Sequence, residues 1–156
     1  MLMAFGAAMD LLTMTIPNRI SLLLLASFLV AAPLIGLSAS EFLSHLGAGA
    51  IMLAAGIVLF AVGGFGGGDA KLLAAAGLWI GFDNLFTYLI YVSLFGGVLA
   101  VMILGYRSLP PYPLPGWAMR LHERGTGIPY GIAIAAGALT VFPKTVWFPA
   151  LALIAS

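Results

Sequence analysis

Cysteine is absent from all 156 residues, which excludes disulfide staples, thiolate zinc sites and cysteine nucleophiles. Charge is almost absent too. Asp, Glu, Lys and Arg together make 7% of the chain, where a soluble domain carries about 25%. So few polar groups do not cover a globular surface in water. The chain is instead 63% hydrophobic, and apolar surface on that scale faces lipid. The net charge is +1 with the bases scattered, so no nucleic-acid partner is expected. No basic stretch precedes the first apolar segment, and no cleavable signal peptide is expected.

What is present is a series of apolar stretches broken by the rare charges and by Gly/Pro clusters. A membrane helix needs roughly 20 apolar residues. The stretches read as helices over residues 1–13, 21–37, 46–62, 70–82, 85–106 and 128–141, the first and fourth being short. A glycine run at residues 63–68 and a polar, proline-containing loop at residues 107–126 interrupt them, and an apolar tail follows Pro143. The expected fold is all-α: a single polytopic membrane domain over residues 1–156 with about six transmembrane helices. Counting loops alternately puts Arg19, Lys71, Arg107, Arg120 and Arg124 on one side and Lys144 on the other. Positive loops stay cytoplasmic, so Glu41 and Asp83 fall outside. His45 and His122 then stand on opposite sides and build no common metal site. No metal or cofactor is expected.

Asp10 and Asp69 are the residues that require explanation. Each stands at the cytoplasmic end of a hydrophobic segment, where a carboxylate is costly and points to function by default. Two carboxylates in one water-accessible cleft divide the work of general acid and base, because close like charges do not both ionise readily. Such a pair hydrolyses a peptide with no metal and no covalent intermediate. The bland reading takes Asp69 as the N-cap of the fourth helix and Asp10 as an interfacial polar group. Gly66 and Gly68 are expected to give the backbone unusual conformations and to let an extended substrate pass close by. Pro17 and Asn18 read as a helix-starting turn. Lys71 reads as an interfacial cation or as the partner of a carboxylate or lipid phosphate.

The stretch from Asp10 to Ile16-Pro17-Asn18 resembles the first signature of type IV prepilin peptidases, an aspartate six residues before Ile-Pro-Asn. Gly66-Gly67-Gly68-Asp69-Ala70-Lys71 is similar to their Gly-x-Gly-Asp signature, and Ile128-Pro129-Tyr130-Gly131-Ile132-Ala133 to the start of their last helix. The resemblance is nearest to the short, methylase-free enzymes of tight-adherence (Flp) pilus systems. It implies an aspartyl endopeptidase of the bacterial inner membrane with Asp10 and Asp69 as its catalytic pair. It further implies cleavage of prepilin or pseudopilin leaders at the cytoplasmic face, among membrane lipid and pilus or secretion machinery. The uncharged Thr13, Met14 and Thr15 depart from the family pattern, which is usually basic there.

Two other classes compete with this reading: a proton-coupled transporter, and a non-catalytic subunit of an assembly machine. Transporters commonly carry internal repeats and midplane charges; this chain has no evident repeat, and both aspartates fall near one interface. Because Asp83 and Glu41 lie on the far side, Asp83→Asn and Glu41→Gln are expected to leave leader cleavage near wild type in a co-expression gel assay. Loss of cleavage by well-inserted protein would contradict the assignment of sides.

Overall fold

The computed structural model describes residues 1–110, 115–123 and 125–150. Every regular element among them is helical: α1 (Leu2–Thr13), α2 (Asn18–Leu34), α3 (Ala39–Ala61), α4 (Gly67–Ile80), α5 (Phe82–Ser108), α6 (Gly116–His122) and α7 (Gly131–Val141), followed by a 3-10 turn at Phe142–Lys144. Among these, α3 and α5 are long and apolar enough to cross a membrane; α1, α2 and the segment Gly131–Lys144 are apolar but shorter. Residues 111–114 of the proline loop, Arg124 and the tail beyond residue 150 lie outside the described residues.

Helix α4 forms the centre. Nine of its 14 residues are buried, as are seven of the 11 in α7. Helices apolar on all sides belong in a core, and these two are walled by the rest. The outer walls leave large apolar side chains exposed, among them Leu22, Val58, Phe86 and Val101. Small residues set the spacing of α3 against α4. A Cβ at Gly56 would lie 2.8 Å from the Cα of Ala70, and one at Gly49 would lie 3.2 Å from the Cβ of Leu78. Close backbone approach of this kind is how helices associate where no water drives them together.

Several boundaries differ from those read in the sequence, each for a local reason. Helix α3 starts at Ala39, seven residues early, because Ser38 and Glu41 form a reciprocal capping box. Glu41 is thus a first-turn helix residue, still exposed. His45 lies inside α3 and is buried, its Nδ1 paired with the Leu78 carbonyl at 2.7 Å. Helix α2 starts at Asn18 with Pro17 as its N-cap. Helix α7 starts at Gly131, after the buried Pro129. A short helix, α6, occupies part of the loop expected to be irregular. Gly81 turns α4 into α5 at φ 73°, a left-handed conformation that favours glycine.

The turns sort into two ends. At one end lie the α1–α2 turn, the glycine run, α6 and the start of α7, joined by the Lys71–Asn18 and Arg120–Leu12 hydrogen bonds. Arg107 braces this end by donating to the carbonyls of Leu121, Thr126 and Gly127. At the other end Glu41, His45, Gly81 and Asp83 share one recess with Val146. An aromatic cluster closes that end: Trp147 donates to the Trp79 carbonyl and Trp79 to the Leu24 carbonyl, with Phe28 edge-on to both rings. The start of the tail after Pro143 is therefore folded back onto the bundle through the buried Trp147.

The α3–α4 contact yields a stability expectation. Gly56→Val forces a side chain against the α4 backbone and should cost about 1–3 kcal/mol, whereas Gly97→Ala, with open space around it, should be near neutral. Thermal unfolding in one detergent checks both; equal midpoints would contradict the packing account.

Candidate active site

Asp10 lies in the last turn of α1 and is 4% exposed. Its backbone carbonyl accepts the Met14 N–H at 2.8 Å, and Met14 ends the helix in the left-handed region. A carboxylate here faces the negative end of its own helix, an unfavourable position. The compensation comes from α7. The Gly131 N–H, one of the unpaired donors that begin every helix, reaches Asp10 Oδ2 at 2.8 Å.

Asp69 is 7% exposed and is solved differently from the sequence reading. It is not the N-cap of α4. The helix starts at Gly67, with Gly66 as N-cap and Asp69 in the third helical position. From there its Oδ2 turns back to accept the Gly66 N–H at 3.0 Å. This is the carboxylate half of a capping box, with a glycine where the hydroxyl residue usually stands. Asp69 Oδ1 is buried and meets no donor among the described residues.

The two carboxylates lie at the same end of the bundle: Gly131, which holds Asp10, and Gly68, which precedes Asp69, both pack against Ile16. The positive end of α4 thus faces Asp69 and that of α7 faces Asp10. Among the described residues, no three His, Asp or Glu side chains gather into a metal-binding group.

The glycines serve space here, not unusual backbone angles. The glycines with positive φ are Gly36, Gly63 and Gly81; Gly66 and Gly68 are not among them. Gly66 is extended, and a Cβ on it would lie 3.1 Å from Asp69 Oδ2. A Cβ on Gly68 would meet Ile16 Cβ at 3.0 Å and the Ile16 backbone at 3.3 Å. Gly131 is the tightest of these three: its Cβ would lie 2.9 Å from Asp10 Oδ2 and from Ile16 Cδ1. Ile16 is therefore a buried wedge between the glycine that precedes Asp69 and the one that holds Asp10. Pro17 caps the helix that follows it. Asn18 Oδ1 accepts from Lys71 Nζ at 2.8 Å, tying the first signature to the second at the surface. Arg120 NH2 donates to the Leu12 carbonyl at 2.6 Å, satisfying a free carbonyl at the end of α1.

Gly131 and Ile16 were not singled out as site residues in the sequence. Gly131 follows Pro129 at a helix start, and a glycine there marks a close approach; the partner in that approach is 121 residues away. Beside the site, Phe65 stacks on Tyr130 with ring centroids 5.2 Å apart. Both side chains border a groove of about 410 Å³ along α5, lined also by Ser93, Gly96 and Gly97.

Comparison with known proteins gives a consistent set of likenesses. The model of the type IV leader peptidase family matches residues 1–101, a span that contains both carboxylates. The prepilin leader peptidase/N-methyltransferase of Bacillus subtilis (strain 168) is 34% identical over 143 residues, covering 90% of this chain and 52% of that protein. The chain thus spans about half the length of this relative. No solved structure matches it.

The glycine contacts generate a second expectation. Gly131→Ala and Gly68→Leu push directly on the groups that hold the carboxylates, and displacements of about 1 Å cost on the order of 10²-fold in rate. Leader cleavage should fall by about that factor in both, at matched amounts of inserted protein, and should hold in Gly97→Ala. Wild-type rates in Gly131→Ala would detach Gly131 from the chemistry.

Proposed function

The chain belongs to the type IV leader peptidase family, and we propose that it is an aspartic endopeptidase that removes the leaders of type IV prepilins or prepilin-like proteins. Asp10 and Asp69 are its catalytic pair. The observation that carries this reading is a pair of buried carboxylates at one end of the bundle, each held by the first N–H groups of a different helix, Asp69 at α4 and Asp10 at α7. A lone buried acid would suffice for capping; two buried acids held at one end of the bundle fit hydrolysis.

The chemistry follows from the pair. One carboxylate takes a proton from water as the water oxygen bonds to the scissile carbonyl carbon. The other, protonated, donates to the carbonyl oxygen, giving a neutral tetrahedral intermediate. The newly protonated carboxyl then gives its proton to the amide nitrogen while the other carboxylate takes one from a hydroxyl of the intermediate; the carbonyl re-forms, the C–N bond breaks, and leader and mature protein are released. Asp69 Oδ1, which meets no donor among the described residues, is the acceptor we assign to the water or the substrate. Of the two activities in the relative's name, only the peptidase is carried over, because the pair described above is built for hydrolysis.

The membrane arrangement belongs to the same proposal. Six helical crossings of the bacterial inner membrane, with the carboxylate end cytoplasmic, agree with Arg19, Lys71, Arg107 and Arg120 gathering at that end. The short helices α1 and α7 are accommodated by local thinning of the bilayer. Substrate enters from the cytoplasmic side, and pilus or secretion machinery is the expected setting.

Asp10→Asn and Asp69→Asn should each lower processing of a co-expressed prepilin by at least about 10²-fold, with the protein still inserted. Gel-shift analysis of the processed fraction checks this; normal processing by either variant removes that residue from the mechanism.

A further inference from the structure

We propose that the groove between α2, α3 and α4 binds one anionic phospholipid, its phosphate at Lys71 and Asn18 and an acyl chain along the groove floor. The groove encloses about 520 Å³ and is lined by residues from 18–25 of α2, 46–53 of α3 and 71–78 of α4. Each wall is thus two helical turns, about 10 Å long at 1.5 Å per residue. Because α3 runs antiparallel to the other two, Lys71, Asn18 and Leu53 lie at one end of the groove and Leu25, Leu46 and Leu78 at the other.

Polarity along the groove is ordered. Its polar lining residues are Asn18, Ser21 and Lys71, all toward one end, and the remainder is apolar. Lys71 Nζ carries three donors and gives one to Asn18 Oδ1, while Lys71 and Asn18 are both exposed. With Oδ1 engaged, the Asn18 amide nitrogen adds two more donors beside the ammonium. Donors of this type in pairs suit a phosphate. One turn further in, Ser21 Oγ is buried with no partner among the described residues. A buried hydroxyl without a partner is uncommon, and this one has its hydrogen-bonding capacity left over beside the groove.

The order of ammonium and amide, then hydroxyl, then apolar wall reproduces that of a phospholipid: phosphate, ester carbonyl, acyl chain. The backbone of a peptide helix laid in the groove would offer Ser21 no partner, because its groups are already bonded internally. The positive end of the groove also matches the anionic surface of the cytoplasmic leaflet. The inference rests on the membrane placement proposed above and is independent of peptidase activity.

Native mass spectrometry of protein taken from phosphatidylglycerol nanodiscs tests it without any cleavage assay. Wild type should retain one phosphatidylglycerol per chain. Lys71→Ala should weaken retention by about tenfold, and Ala50→Trp, which fills the groove from an exposed position, should abolish it. Val101→Trp, on the exposed face of α5, should retain the lipid. Equal retention by wild type, Lys71→Ala and Ala50→Trp, or none by wild type, overturns the proposal. A benzoylphenylalanine at Leu22, an exposed lining residue that is already large, should cross-link to phospholipid in otherwise intact protein; cross-linking to an added prepilin peptide instead overturns it as well.

Discussion

Burial of two carboxylates in an apolar bundle is the constraint on which the rest of this structure depends. An isolated buried charge is too costly to keep, so each acid needs donors that do not themselves bring a buried charge. Helix N-termini are the cheapest source, since their first N–H groups are unpaired in any case. Gly66 at the start of α4 and Gly131 at the start of α7 supply those N–H groups at 3.0 and 2.8 Å. The close approach this demands explains why both positions are glycine. It also explains why Ile16, which seats Gly68 and Gly131 together, is buried in a segment that would otherwise be a surface turn.

The placement of α4 follows from the same demand. Asp69 reaches the site because α4 runs through the middle of the molecule, and it does so by packing on α3 through Gly49, Gly56 and Gly77. Bulkier residues there would hold α4 away, and the pair would separate. Packing in the helices and chemistry at their ends are thus one problem. The surface ties at the same end, Lys71 to Asn18 and Arg120 to Leu12, hold α1, α2, α4 and α6 in register around it.

Much of this was legible in the sequence. Apolar runs and scarce charge gave helices and their order, and scarcity alone made Asp10 and Asp69 conspicuous. Local signals that were present went unused: Ser38 and Glu41 spell a capping box that lengthens α3 by seven residues. Other features had no local signal. Asp69 reads as an N-cap until the helix is seen to start at Gly67, because glycine runs do not announce whether they are helical. The glycines read as sources of conformational freedom, whereas Gly66 and Gly68 matter for the volume they leave. Only the distant partners, Asp69 Oδ2 and Ile16, reveal that. Gly131 likewise acquires meaning only through a contact 121 residues away.

The central claim is that Asp10 and Asp69 act as one acid–base unit, one ionised and one protonated at the moment of reaction. The pH dependence of kcat/KM for cleavage of a prepilin peptide by the purified protein measures this directly. A shared unit predicts a bell-shaped profile, falling on both the acid and the alkaline side, with two apparent pKa values belonging to the pair. A profile that rises to a plateau and stays there would show that a single ionised group suffices and would contradict the account.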